Sequence, residues 1–172
     1  MEDLVDAGKI RFIGVCNFSR PQLEQALAAS RKHKIVSNQV PYSLIDRNIE
    51  VELLPFCEAH GVAVIAYSPL ANGLHNIRAH DPGNVLGRVA AMTHKTEAQI
   101  ALNWCVSKGN VVALFKASSE PRVEENCQAS GWRLTDQQAR MLEEGVRFQR
   151  RSRVEIVLRR TAGRLLRAAG LR

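Results

Sequence analysis

Four short apolar runs, residues 11–18 (RFIGVCNF), 35–40, 62–67 and 111–115, alternate along the chain with segments patterned for helices. The runs are continuously apolar rather than alternating with polar residues, as expected of strands covered by helices. Such alternation implies right-handed crossovers and a parallel sheet. Between the strands, residues 1–8 read as the end of a helix closed by Gly8. Ser19 predicts an N-cap with Pro21 in the first turn, and Leu23, Ala26 and Leu27 form a helical stripe within residues 22–33. Residues 49–60 form a helix carrying Val51, Leu54 and Cys57 on one stripe, and residues 86–108 form two helical pieces broken near His94. Helices over 120–129 and 135–149 complete the pattern, the last opened by Leu-Thr-Asp. Four strand–helix units are half of an eightfold barrel. No G-x-G-x-x-G or P-loop follows any strand, which argues against a Rossmann or P-loop fold.

Composition narrows the function classes. A length of 172 residues suits one domain. The net charge of +7 hints at nucleic-acid binding until it is located: residues 147–172 hold nine arginines against Glu155 alone. The body then carries 15 basic and 16 acidic residues, so it is not a nucleic-acid binder by composition. We divide the chain into a unit over 1–146 and an Arg-rich helical tail over 147–172. In that tail Val154, Val157, Leu158, Leu165 and Leu166 recur at helical spacing. Cys16, Cys57, Cys105 and Cys127 form no C-x-x-C pair and read as reduced, mostly buried thiols. The longest wholly apolar stretch, residues 62–66, is far too short to span a bilayer, and the acidic start lacks the features of a signal peptide. A cytoplasmic protein is expected.

In parallel α/β architectures, ligands bind where the carboxyl ends of the strands point. Those positions hold Cys16-Asn17-Phe18-Ser19, Asn38-Gln39, Tyr67-Ser68-Pro69-Leu70 and Lys116-Ala117-Ser118-Ser119. Amides, an aromatic ring, hydroxyls and a cation on one face suit a planar heterocycle bearing an amide, together with a phosphate. Taken singly, an Asn or Ser after a strand is more often a turn or cap residue.

GVCNFS (14–19), NQVPYSLIDR (38–47), YSPLANGL (67–74) and FKASSEPRVEEN (115–126) together resemble successive signatures of the aldo-keto reductases. The resemblance covers residues 1 to about 145. It implies a (β/α)8 TIM-type barrel, here its second half plus C-terminal helices, that binds NADPH without a Rossmann motif and reduces aldehydes and ketones. It further implies that Asn17 and Gln39 bond the nicotinamide carboxamide and that Tyr67 stacks on the ring. By the same resemblance Ser68 and Leu70 line the pyrophosphate path, and Lys116 and Arg122 hold the 2′-phosphate with help from Ser118 or Ser119. Glu125 and Asn126 contact the adenine end. A Lys point charge and an Arg fork near a helix N-terminus suit a phosphate dianion.

Three positions depart from the family pattern. Cys16 stands in place of a usual serine, weakening one nicotinamide contact. Ala117 removes a hydroxyl beside the lysine, and Pro41 replaces an acidic residue after NQV. The family's proton-donor Tyr, with its Lys, Asp and His, belongs to the first half of the barrel, so no catalytic residue is assigned. Tyr67 is committed to stacking, Tyr42 lies in the NQVPYSL loop, and no histidine has metal-ligand spacing. The chain therefore reads as the cofactor half of a truncated NADP-dependent oxidoreductase that is inactive alone. The alternative is a non-catalytic NADP-binding or partner-binding module of the same family. Expected partners are a small-molecule carbonyl substrate and either a missing N-terminal half or a second copy. No metal, nucleic acid or integral membrane partner is expected. Ile13, Val15, Val36, Val64 and Leu114 are the expected inner face that such a partner covers.

Overall fold

A computed structural model describes residues 1–148. Four parallel strands, β1 (Ile13–Cys16), β2 (Ile35–Pro41), β3 (Ala63–Tyr67) and β4 (Val111–Leu114), lie side by side in sequence order. Helix α1 (Glu2–Asp6) precedes the sheet, α2 (Arg20–Ala29) follows β1, and α3 (Leu53–Ala59) follows β2. The third crossover carries α4 (Leu74–Ala79), α5 (Val85–Thr93) and α6 (Glu97–Val106), and α7 (Glu120–Cys127) and α8 (Asp136–Gly145) follow β4. The alternation expected from the sequence is thus present, and the break near His94 is a left-handed residue at φ 53°. Of the tail expected to be helical over 147–172, residues 147 and 148 are not helical and residues 149–172 lie outside the described residues.

Local chemistry sets the helix ends. Gln22 accepts from the Ser19 amide at 3.0 Å, and Thr96 with Gln99 and Thr135 with Gln138 form reciprocal capping boxes. Buried Asp81 accepts from the amides of Val85 and Leu86, both at 2.8 Å, and so starts α5. The helices expected over 49–60 and 135–149 are both shorter. The Tyr42 hydroxyl donates to Glu50 at 2.6 Å, which holds residues 49–52 in a turn; α3 starts only at Leu53, and Val51 is exposed. Helix α8 stops at Gly145 because Val146 is extended and Arg47 binds the last carbonyls. The short helix α4 was not expected.

Register divides the sheet into two faces. Val15, Asn38, Val64 and Val111 align across the strands beneath the helices, with Ile13, Val40 and Ala66 on the same side. They pack with Leu23, Leu54, Leu86, Ile100 and Trp104. The opposite face carries Gly14, Cys16, Ser37, Gln39, Ile65, Tyr67, Val112 and Leu114. Here the structure corrects the sequence reading. Ile13, Val15 and Val64 belong to the helix-covered core, and of the expected inner face Leu114 lies on the open side. Val36 falls where the β1–β2 register shifts. Successive side chains alternate in direction, and a continuously apolar run conceals which parity faces which layer.

Candidate functional site

The carboxyl ends of β1, β2 and β3 converge through Asn17. Its left-handed backbone (φ 59°) turns the chain off the end of β1, while its amide donates to the Gln39 carbonyl at 2.8 Å. The Tyr67 hydroxyl donates to Asn17 Oδ1 at 3.1 Å, and Asn17 Nδ2 donates to Cys16 Sγ at 3.3 Å. Cys16, Asn17, Gln39 and Tyr67 therefore form one cluster spanning three strands, with Cys16, Gln39 and Tyr67 on the open face. Neighbouring Asn38 points the other way. Fully buried, it donates to the Phe18 carbonyl at 2.9 Å and fixes the β1 exit, so it supports the site without entering it.

Beyond Tyr67 the chain turns tightly. Ser68, Ala71 and Asn72 all have positive φ, the Gly73 amide donates to the Leu70 carbonyl at 2.8 Å, and Ser68 Oγ donates to Asn72 Oδ1 at 3.1 Å. Three non-glycine residues in this conformation mark a segment held in place by its surroundings. Leu70 is half-buried against the core, so its side chain packs the turn down.

A second group lies after β4, at the same end of the sheet. Lys116 and Ser118 are exposed and Ala117 is half-buried in the segment leading to α7. Arg122 is exposed in the first turn of α7, beside amides that favour an anion. Glu125 is half-buried, and its carbonyl accepts from Gln99 at 3.0 Å. Asn126 is buried and lines an apolar groove with Leu102, Val111 and Phe115. Helix α7 thus leaves Arg122 exposed, like Lys116, and turns Asn126 inward.

The donor set fits an amide-bearing heterocycle at the first cluster and a phosphate at the second. Proton-transfer groups are scarcer. Tyr42 is fully buried, its ring 5.2 Å from that of Trp104, and burial with the Glu50 contact pushes its hydroxyl far above the usual phenol range. His33 meets Asp6 at 2.7 Å and His60 stacks on Phe56, both at the amino ends of strands. Among the described residues no three His, Cys, Asp or Glu side chains gather as a metal site, and no helix is long and apolar enough to cross a membrane.

Residues 1–147 match the model of the aldo/keto reductase family. This chain belongs to the aldo/keto reductase family. It is 37% identical over 154 residues to aldo-keto reductase family 1 member C23 of Equus caballus, covering 83% of this chain and 45% of that protein. It is 32% identical over 143 residues to a methylglyoxal reductase of Escherichia coli, covering 83% and 50%. Among solved structures, an aldo/keto reductase from Klebsiella pneumoniae in complex with NADP and acetate superposes with a TM-score of 0.78 at 34% identity, covering 89% of this chain and 54% of that one. The chain spans about half the length of the curated relatives it matches. Its four-stranded parallel sheet is consistent with part of the aldo/keto reductase TIM barrel.

Within this aldo/keto reductase half-barrel, sequence reasoning missed the residue that holds its carboxyl end together. Arg47 is 6% exposed. It donates to the carbonyls of Leu44, Leu142, Glu143 and Val146, and its guanidinium lies 5.2 Å from the Trp104 ring centre. The cation closes the carbonyl end of α8, where positive charge is favoured. Nothing local in NQVPYSLIDR signals this, because the Leu142, Glu143 and Val146 carbonyls lie about a hundred residues later. The thiols also differ from expectation. Cys57 and Cys105 are buried, with the Cys57 thiol pushed up to about 11 by burial, whereas Cys16 and Cys127 are exposed. Cys16 ends β1 on the open face, and Cys127 ends α7 on an outward side.

Proposed function

We propose that this chain is the cofactor-binding half of an NADP-dependent oxidoreductase that reduces aldehydes or ketones. The observation that carries the reading is the Tyr67–Asn17 contact across β1 and β3, which fixes an aromatic ring beside two amides at the carboxyl ends of the strands. Bound NADPH supplies the hydride. Tyr67 offers a ring face to the nicotinamide and so selects which side is presented, while Asn17 and Gln39 bond its carboxamide. Cys16 lies beside that contact as a weaker partner than a hydroxyl. Ser68 and the turn anchored by Leu70 flank the pyrophosphate. Lys116 and Arg122, with Ser118 between them and Ala117 contributing only backbone, hold the 2′-phosphate. Glu125 and the inward-turned Asn126 shape the adenine end.

The proton donor and the walls that select the carbonyl substrate belong to the rest of the barrel, outside the region that this chain covers. Alone, the chain has two tyrosines, one stacked at the proposed site and one buried against Glu50, and turns over no carbonyl substrate. Residues 1–146 act as the binding unit, with the Arg-rich 147–172 segment as an appendage. A cytoplasmic setting keeps the four thiols reduced. Titration with NADPH and NADH tests the reading. NADPH binds more tightly, and Arg122→Ala removes a charge-assisted contact of about 1.5–3 kcal/mol, roughly a tenfold to hundredfold loss for NADPH alone. Equal affinities in the unaltered chain overturn it.

A further inference from the structure

The last link between β1 and β2 is made by a side chain. Backbone pairing of the two strands ends at Cys16 and Gln39, followed by the Asn17 amide on the Gln39 carbonyl at 2.8 Å. One residue further on, Asn38 grips both main-chain groups of Phe18. Its Nδ2 donates to the Phe18 carbonyl at 2.9 Å, and its Oδ1 accepts from the Phe18 amide at 3.4 Å. A carboxamide presents donor and acceptor in one plane, as a peptide group does, so Asn38 continues the ladder where the strand has ended. The side chain is fully buried on the helix-covered side of the sheet, where losing either bond is costly.

Asn17 lies between these two attachments. Its φ of 59° is a conformation that an L residue adopts at a cost, and it persists where the chain on both sides is fixed. On the near side the Asn17 amide is held by Gln39, and on the far side Asn38 holds Phe18. The Asn17 side chain takes its direction from that backbone, and its Oδ1 accepts from the Tyr67 hydroxyl at 3.1 Å. Because side chains alternate along a strand, β2 presents Gln39 to the open face and Asn38 to the buried one. We propose that Asn38 is a positioning residue for the nicotinamide end of the site: without touching the cofactor, it holds Asn17, and through Asn17 the Tyr67 ring, in the orientation which that end requires. This assignment rests on the cofactor site proposed above. Lys116 and Arg122 follow β4, two strands away from β2, so the phosphate end is independent of Asn38.

Calorimetric titration of the full 172-residue chain with NADPH and with adenosine 2′,5′-bisphosphate, which has no nicotinamide, tests this. Asn38→Ala is expected to weaken NADPH about tenfold and to leave the bisphosphate within about twofold. Added to Asn17→Ala, it costs NADPH less than about twofold more, because the residue it positions is already gone. Equal losses for both ligands, no loss for either, or full additivity with Asn17→Ala overturns the proposal. Amide exchange reads the same coupling without ligand. The Phe18 amide is expected to be protected in the unaltered chain, and Asn38→Ala to speed exchange at Asn17 about tenfold while the β3 amides keep their rates. A uniform rise across the sheet overturns the proposal. So does a freely exchanging Phe18 amide in the unaltered chain, a result that stands whether or not Asn38→Ala folds. If the unaltered chain binds neither ligand, the cofactor reading fails, and the exchange rates alone decide whether Asn38 holds Asn17.

Discussion

Arg47 Nη1 donates to the Glu143 carbonyl at 2.9 Å, joining the loop after β2 to the last turn of α8 across 96 positions of sequence. The same guanidinium bonds Leu142, whose carbonyl also accepts from the Val146 amide, and Val146, so one buried cation helps to satisfy the carbonyls at the end of the helix. Arg47→Met removes the side-chain partner of the Glu143 and Val146 carbonyls and leaves Leu142 with the Val146 amide alone. It is expected to cost about 3 kcal/mol, the range for removing one member of a buried charged network. Arg47→Lys recovers little, because an ammonium lacks the planar fork. Urea denaturation measures the loss, and hydrogen exchange localises it to residues 136–146.

Glu143 is the charged neighbour of this junction. Burial raises its pKa, but the Lys108 ion pair, the Trp104 indole N–H at 3.2 Å and the Arg47 charge together hold it below the usual carboxylate value of 4.5. A depressed folded-state pKa contributes stability that is present above the unfolded value and disappears as pH falls through the folded one. The chain is therefore expected to lose stability below pH 4.5, with Glu143→Gln flattening part of that acid limb. At neutral pH the variant costs up to about 1 kcal/mol, as for half-exposed pairs. Thermal melts of both proteins between pH 3 and pH 7 check it, and parallel acid limbs contradict it.

The order of strands and helices was legible because β-branched runs and capping residues such as Ser19 and Thr135 are local signals. The strand-end cluster was legible for the same reason, since Asn17, Gln39 and Tyr67 follow directly from where strands stop. The facing of the strands was not. Ile13 and Val64 look identical to Ile65 and Val112 in composition, and only the register across four strands separates core from open face. Arg47 was equally hidden, because its burial depends on carbonyls that α8 brings to it. Exposure of Cys16 follows from the same unread parity.

The four thiols divide by burial. Cys57 and Cys105 are enclosed and raised in pKa by desolvation, so neither supplies thiolate near neutral pH. Iodoacetamide at pH 8 is expected to label Cys16 and Cys127 in the native chain and all four only after unfolding, counted by mass spectrometry. Saturating NADPH slows labelling at Cys16, beside the proposed nicotinamide contact, while Cys127 reacts at an unchanged rate. Equal protection of both thiols removes Cys16 from the site.

Tyr67 separates ring from hydroxyl. Its side chain is half-buried on the open face, and its phenol bonds Asn17 Oδ1, so neither substitution empties the core. Tyr67→Phe keeps the ring and removes one hydrogen bond, and NADPH affinity is expected to stay within about threefold, the lower end of a neutral hydrogen bond's net value. Tyr67→Ala removes the stacking platform, worth about 1–3 kcal/mol for an aromatic ring against a nucleobase, and lowers affinity roughly tenfold to hundredfold. Quenching of intrinsic fluorescence by NADPH reads both variants against the unaltered chain. Asn17→Ala leaves the ring in place but removes a carboxamide partner, and it is expected to fall between the two. If Tyr67→Ala binds NADPH as tightly as Tyr67→Phe, the ring does not face the nicotinamide, and the cluster at Asn17 is a turn lock rather than a cofactor site.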